Sequence, residues 1–359
     1  MPVYLRNGWY VAAFSDEVSR TPMCRTLLEQ PVVLYRKEDG SVAALHDRCP
    51  HRFAPLSRGV LHGDDIQCPY HGLRFDAAGR CVFNPHGNGA TPAAARVEAF
   101  HVTERYGFVW YWPGDPAQAD PSLIPNYWYL EAPEEYSVIK GLLHVKGNYQ
   151  LVVDNLLDLS HVPYIHPHFK IPDVTPEQTL AATTTRLDRS DDKIFAYRMR
   201  TGLRPNPATC KYFDFPDVPS NSRTHMTWYP PSLIDFDNGT WLPGTTEREG
   251  FCLPQAHCIT PETETTSHYF FAVGRNMKLG DKAIDDALMD VLQTAFRDQD
   301  EPMIEAVQQR MGPTGDLESL KPVFLQSDGP PAMARRLLAK RIAQEAEALE
   351  PVARLKMSN

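Results

Sequence analysis

Four residues early in the chain could build a metal centre. Cys49-Pro50-His51 is followed, after sixteen intervening residues, by Cys68-Pro69-Tyr70-His71. Each loop offers one thiolate and one imidazole. In a mixed-ligand [2Fe–2S] cluster two thiolates hold one iron and two neutral imidazoles hold the other, which raises the potential above that of an all-cysteine cluster. The two loops supply that ligand count. The competing reading is a Cys2His2 zinc site, but zinc motifs usually space Cys with Cys and His with His. Pro50, Pro69 and Gly72 suit tight loops whose backbone N–H groups point at the cluster sulfurs and tune the potential.

A second constellation begins at Asn155 and runs through Asp158 and His161 to His166. On an α-helix the first three are three residues apart and share a face. His166, five residues beyond His161, would sit roughly 140° around an unbroken helix. Pro163 lies between them and disfavours a continued helix, so a turn there is expected to bring the two imidazoles together. Two imidazoles suit Fe(II), and a facial triad needs one carboxylate more. The periodic segment Asp281 to Met311 offers it: Asp300 falls in phase with the apolar stripe Leu288, Leu292, Phe296, Met303 and Val307, whereas Asp298, Glu301 and Glu305 do not. A carboxylate facing a core is costly unless it is paired or binds a metal, which leaves a buried salt bridge as the alternative for Asp300. Asp285 is also in phase, but its place in the first helical turn explains an acid there.

These residues need elements to hold them. The first third reads as short strands, Pro31 to Arg36, Val42 to Leu45 and Gly107 to Trp112, forming a small β domain. A proline-rich acidic stretch, 113 to 136, suits a connection, so domains of 1–120 and 121–359 are expected. Beyond it a helix over Tyr149 to Leu159 is followed by antiparallel strands at Ile194 to Met199, His225 to Tyr229, Phe251 to Ile259 and His268 to Val273. Helices from about Asp281 to Met311 and Pro331 to Leu349 close an α+β domain.

Composition narrows the partners. With 359 residues there is room for two domains, and the net charge of −9 is spread without a basic face for nucleic acid. No apolar run approaches a membrane span, and the start Met1-Pro2-Val3-Tyr4-Leu5-Arg6 has no leader-like apolar region, so a cytoplasmic protein is expected. Seven scattered cysteines do not suggest a secreted disulfide scaffold. Cys24, Cys81, Cys210, Cys252 and Cys258 are expected as buried free thiols, His168 in solvent, and His257 and His268 in the core or lining a cavity. His46, His62, His86, His101 and His144 lack a matched partner at ligand spacing and read as structural residues.

The first motif resembles that of Rieske proteins. Respiratory members add a cysteine to each loop and a membrane anchor; Arg52, Phe53 and Tyr70 occupy these loops instead, so the resemblance is to the oxygenase or ferredoxin type. Asn155 to His166 is similar to the Asp-x2-His-x4-His motif of Rieske non-haem iron oxygenases. Carried over, Cys49, His51, Cys68 and His71 are cluster ligands, His161, His166 and Asp300 iron ligands, Asp158 the bridge for electron entry, and Asn155 a residue supporting the ligands. Gln299 and Pro302 depart from commoner choices beside the carboxylate. Leu5 to Ala12, Arg105 to Trp110 and Thr260 to Tyr269 resemble the vanillate O-demethylase oxygenase components and their toluenesulfonate methyl-monooxygenase and dicamba demethylase relatives, so the match covers nearly the whole chain.

The resemblance implies an N-terminal all-β Rieske domain and a C-terminal helix-grip domain, an antiparallel sheet with a long C-terminal helix, in a head-to-tail homotrimer. It implies a [2Fe–2S] cluster, a mononuclear Fe(II), O2 and a small aromatic substrate, often an aromatic acid. It also implies a separate flavin and ferredoxin-type reductase using NAD(P)H, since the chain has no Gly-x-Gly-x-x-Gly fingerprint. The expected reaction is hydroxylation or O-demethylation. A ring-dihydroxylating dioxygenase and a non-catalytic electron carrier are the alternatives.

Overall fold

The computed structural model describes residues 3–357 of the chain. The chain divides into two compact units, and Val3–Ile124 with Thr260–Thr263 forms one of them. Its strands are short: β1 (Tyr10–Phe14), β2 (Met23–Leu27), β3 (Gln30–Arg36), β4 (Val42–His46), β5 (Val60–His62), β6 (Asp65–Gln67), β7 (Arg74–Phe75), β8 (Cys81–Phe83), β9 (His101–Arg105) and β10 (Phe108–Trp112). They make three antiparallel sheets, ordered β1-β10-β9, β2-β3-β4 and β5-β6-β7-β8. Runs such as Val32–Tyr35 and Phe108–Trp112 are β-branched and aromatic, which fits a pleated surface packed on both faces. Val33, Tyr35, Leu45, Leu56, Ile66 and Phe75 pack in one core cluster that also holds Cys49 and Cys68. Both thiols are therefore anchored in the core, with their histidines nearer the surface.

The other unit, Pro125–Ile259 and Glu264 onward, carries a seven-stranded sheet. Its elements in chain order are β11 (Ser137–Val145), α1 (Tyr149–Leu157), α2 (Val162–Ile165), α3 (Pro176–Ala181), β12 (Thr183–Arg189), β13 (Ile194–Leu203), α4 (Pro207–Phe213), β14 (Ser220–Tyr229), β15 (Leu233–Trp241), β16 (Phe251–Thr263) and β17 (Thr266–Arg275). Then follow α5 (Lys282–Ala295), α6 (Glu301–Met311) and α7 (Gly329–Met357). The sheet order is β11-β17-β16-β15-β14-β13-β12. The α+β architecture is the one expected, with more strands: β11, β12 and β15 have no counterpart in the sequence reading.

The helix from Asp281 to Met311 forms with a defect that changes its meaning. Between α5 and α6 the five residues Phe296–Asp300 adopt π geometry, which inserts one residue and rotates everything beyond it. Leu288, Leu292 and Ala295 are buried before the insertion, and Asp300, Ile304, Gln308 and Met311 after it. The expected stripe residues Met303 and Val307 are exposed at 54% and 38%. Asp300 is buried as expected, but a regular 100° rotation does not put it there. Asp285 is not left to solvent; it pairs with buried Arg275 at 2.8 Å. No helix among the described residues is long and apolar enough to cross a membrane.

Candidate metal centres

The two cysteine loops share one backbone plan. Cys49 N–H donates to Ala54 O and Phe53 N–H to Cys49 O; Cys68 N–H donates to Leu73 O and Gly72 N–H to Cys68 O. Both loops reverse at a left-handed residue four positions after the cysteine, Phe53 at φ 60° and Gly72 at φ 75°. Glycine takes that conformation without penalty, whereas the phenylalanine is held under the Arg48 guanidinium, 3.8 Å from its ring centroid. The plan brings the His51 and His71 rings to 4.5 Å between centroids. Burial pushes the Cys49 thiol up to about 11, against the backbone N–H groups of His51 and Arg52 that bond its sulfur. Those N–H groups are the donors expected around a cluster sulfur. Desolvation, and then the neighbouring His51, lower the His71 pKa, which favours the neutral form that ligation by imidazole requires. Two thiols and two imidazoles thus fit a mixed-ligand cluster. His86, expected to be structural, bonds the His71 carbonyl through Nε2 at 2.8 Å.

The second centre is assembled from two separate segments. Helix α1 stops at Asp158, whose extended backbone (φ −112°, ψ 99°) caps it. The single helical face expected for Asn155, Asp158 and His161 therefore does not exist. Pro163 sits in the first turn of α2 and does not break it, because a first-turn proline has no N–H to lose. His166 leaves the helix itself (φ −112°, ψ 77°). The two rings still meet, 5.3 Å apart between centroids.

His161, His166 and Asp300 place one ligand atom each within 4.8 Å of one another. Asp300 Oδ1 lies 3.3 Å from His166 Nε2 and 3.5 Å from His161 Nε2. Each imidazole is fixed from behind: His161 Nδ1 donates to the Asp158 main-chain carbonyl and His166 Nδ1 to Gln299 Oε1, both at 2.7 Å. With Nδ1 engaged, both Nε2 atoms face the carboxylate, the ligand orientation that carbonyl partners impose on metal-binding histidines. Asn155 Nδ2 donates to Asp300 Oδ1 at 3.2 Å. Burial pushes His161 down despite Asp300. At His166 burial also opposes the charge, but bonds to Asp300 and Gln299 outweigh it and its pKa is raised. Two imidazoles and a carboxylate facing a cavity fit a mononuclear Fe(II).

The Asp158 carboxylate bonds Ser160, through its N–H at 2.8 Å and its hydroxyl at 3.0 Å. Only its main chain touches His161. Gln299, a departure from the commoner residue beside the carboxylate, is the acceptor behind His166, and its adjacency to Asp300 is the sequence signal for it. His168 does not face solvent: its Nε2 is buried without a hydrogen-bond partner. Of the five cysteines expected to be buried, Cys252 and Cys258 are, Cys81 and Cys210 are half-buried, and Cys24 is exposed; all are free. His268 is a core residue. His257 is buried and lines a cavity of about 270 Å³ shared with the triad.

Sequence and structure comparisons agree with this arrangement. Residues 8–100 match the Rieske [2Fe-2S] domain, and residues 145–344 the vanillate O-demethylase oxygenase C-terminal domain. The chain is 39% identical to the dicamba O-demethylase oxygenase component of Stenotrophomonas maltophilia, over 97% of this chain and 98% of that one. It is 31% identical to a Pseudomonas vanillate O-demethylase oxygenase subunit, over 97% and 98%. The structure of dicamba monooxygenase bound to 3,6-dichlorosalicylic acid superposes with a TM-score of 0.88 at 38% identity, covering 96% of this chain and 99% of that one. The same enzyme with non-haem iron and dicamba gives 0.82 at 36% identity, over 96% and 99%.

The chain belongs to the vanillate O-demethylase oxygenase family of Rieske non-haem iron oxygenases. It is the terminal oxygenase component of a Rieske monooxygenase system, an oxidoreductase whose cofactors are a Rieske [2Fe–2S] cluster and a mononuclear non-haem iron, served by a separate reductase.

Proposed function

We propose that Cys49, His51, Cys68 and His71 hold the cluster in the domain 1–120, and that His161, His166 and Asp300 hold the iron in the domain 121–359. The observation that carries this reading is the convergence of two imidazole Nε2 atoms and Asp300 Oδ1 within 4.8 Å, beside the cavity. When bound, the two groups supply electrons and O2 activation; the chain supplies geometry. Gln299 and the Asp158 carbonyl fix the imidazoles, Asn155 steadies the carboxylate, and the cavity excludes water from a small aromatic substrate. Phe213, Phe236, Phe251 and Phe296 line that cavity, which suits an aromatic ring. The reaction is hydroxylation or O-demethylation of such a substrate, an aromatic acid in the first instance.

The working unit is a head-to-tail homotrimer in the cytoplasm, and the reductase is of the flavin and ferredoxin type. Asp158 bridges the histidine of a neighbouring subunit's cluster to this subunit's His161. Its main-chain carbonyl already accepts from His161 at 2.7 Å, a bond that asparagine would keep, so that substitution tests the carboxylate alone. Replacing Asp158→Asn is expected to leave three irons per chain and stop product formation. Normal turnover by that variant, assayed as formaldehyde from a methoxybenzoate with a surrogate reductase, would remove the bridge.

A further inference from the structure

Strand β13 lays part of the cavity floor. Its period of two puts Ile194, Ala196, Arg198 and Arg200 on one face, the first two buried and the last two lining the cavity. The sheet register carries Arg198 across to Thr224, Asn238 and Leu253, and Arg200 to Ser222, Thr240 and Phe251. Three interstrand spacings of about 4.8 Å set the arginine wall roughly 14 Å from β16, where His257 stands. The cavity therefore has two polar ends, and they differ in charge.

Burial holds His257 down at about 3, so it is neutral and can offer a hydrogen bond but no charge. Arg198 and Arg200 are cations. Three more deeply buried arginines in this unit each have a carboxylate: Arg223 with Asp237, Arg275 with Asp285, Arg335 with Asp154. Among the described residues neither Arg198 nor Arg200 has a hydrogen bond or an ion pair. The carboxylate whose field reaches Arg198 is Asp158, already bonded twice to Ser160. Apart from Asp300 of the triad, no acid lines this cavity among the described residues. A second cavity of about 200 Å³ also reaches the two arginines; Lys170 lines it, and no carboxylate does. Two like charges two residues apart, desolvated and unpaired, are a cost that an anion would relieve.

We propose that Arg198 and Arg200 form an anion clamp that seats the acid group of the substrate, a carboxylate or a sulfonate, at the end of the cavity opposite His257. The clamp rests on the iron-site reading above and names which end of the substrate is fixed. The ring then spans the aromatic-lined middle of the cavity toward the triad. An acid group offers two or three oxygens, enough to accept from both guanidinium forks at once.

Anaerobic calorimetry on the iron-loaded full chain tests this with 4-methoxybenzoate, 4-methoxybenzenesulfonate and neutral 4-methoxybenzamide. The wild type should bind at least one acid about 10-fold or more tighter than the amide, and the better acid identifies the group. In Arg198→Gln/Arg200→Gln acid affinity should fall about 100-fold, with the amide changed less than about 3-fold. Arg200→Lys should lose an intermediate amount, keeping charge without the fork. Iron content and the reduced-cluster EPR signal verify that each variant is folded. Equal binding of acids and amide by the wild type overturns the clamp. So does an acid preference that survives the double substitution or disappears instead in His257→Leu. Three irons without acid preference would remove the clamp alone; acid preference with no iron at the triad would keep the clamp and remove the iron-site reading.

Discussion

The cysteine loops and the histidine–carboxylate site solve the same problem by opposite means. The loops are local: one backbone plan is used twice between Cys49 and Leu73, each fixing its own cysteine by a main-chain bond four residues on. The triad is non-local. His161 and His166 come from the breaks around α2, whereas Asp300 arrives from a helix more than a hundred residues later, turned inward by a π insertion. A local site depends on the conformations its loop residues can adopt. The triad depends instead on partners such as Gln299 and Asn155 that hold distant segments to one another.

That contrast makes unequal demands on single residues. The largest effect is expected at Gln299. Replacing Gln299→Leu removes the acceptor behind His166 and should weaken iron binding at the triad about 10–100-fold, as loss of such partners does elsewhere. Competition with a chromogenic chelator reads this directly, and the cluster spectrum should not change. An unchanged affinity would show that His166 needs no support.

A smaller effect belongs to the loops. Gly72→Ala asks an L residue to hold φ 75° with its Cβ 3.1 Å from Pro85 Cγ. The cost should be about 1–2 kcal/mol. Phe53→Gly, at the equivalent position, should change stability by less than about 1 kcal/mol, because relief of backbone strain offsets the lost contact with Arg48. Urea denaturation followed by the visible circular dichroism of the cluster measures both. Equal costs at the two positions would break the equivalence of the loops.

The smallest effect lies away from both centres. Burial first, then the charge of Asp237, pushes the Asp235 carboxyl up to about 7, with a partly offsetting bond from Tyr129. Because the folded value exceeds the unfolded value near 3.8, the protonated form favours folding. Its contribution is complete below about pH 4 and is lost as pH rises through 7. Asp235→Asn should therefore stabilise the protein by about 1 kcal/mol at pH 8 and by nothing at pH 4. Thermal melts at the two pH values settle the sign.

How much of this was legible in the sequence follows the same division. Spacing alone singles out the two Cys–His loops that the structure brings together, because local loops write their geometry into adjacent residues. It found His161 and His166 but misjudged what joins them: Pro163 starts a helix, and the breaks fall at Asp158 and His166, positions with no distinctive residue type. Asp300 was found through a regular periodicity that the chain does not follow. A π insertion has no sequence signature in one chain, and Met303 and Val307 were misplaced for that reason. The arginine wall was readable, since Arg198 and Arg200 continue the phase of Ile194 and Ala196 on one strand face. What no single strand states is that four neighbours bring that face to the triad.

The central claim is that two independent iron centres occupy one chain. Metal analysis with EPR of the reduced protein, on the wild type and on Asp300→Ala, tests it most directly. The wild type should hold three irons per chain and show the mixed-ligand cluster signal; Asp300→Ala should hold two irons with that signal unchanged. Zinc in place of iron in the wild type, or a cluster signal that vanishes with the Asp300 carboxylate, would contradict it.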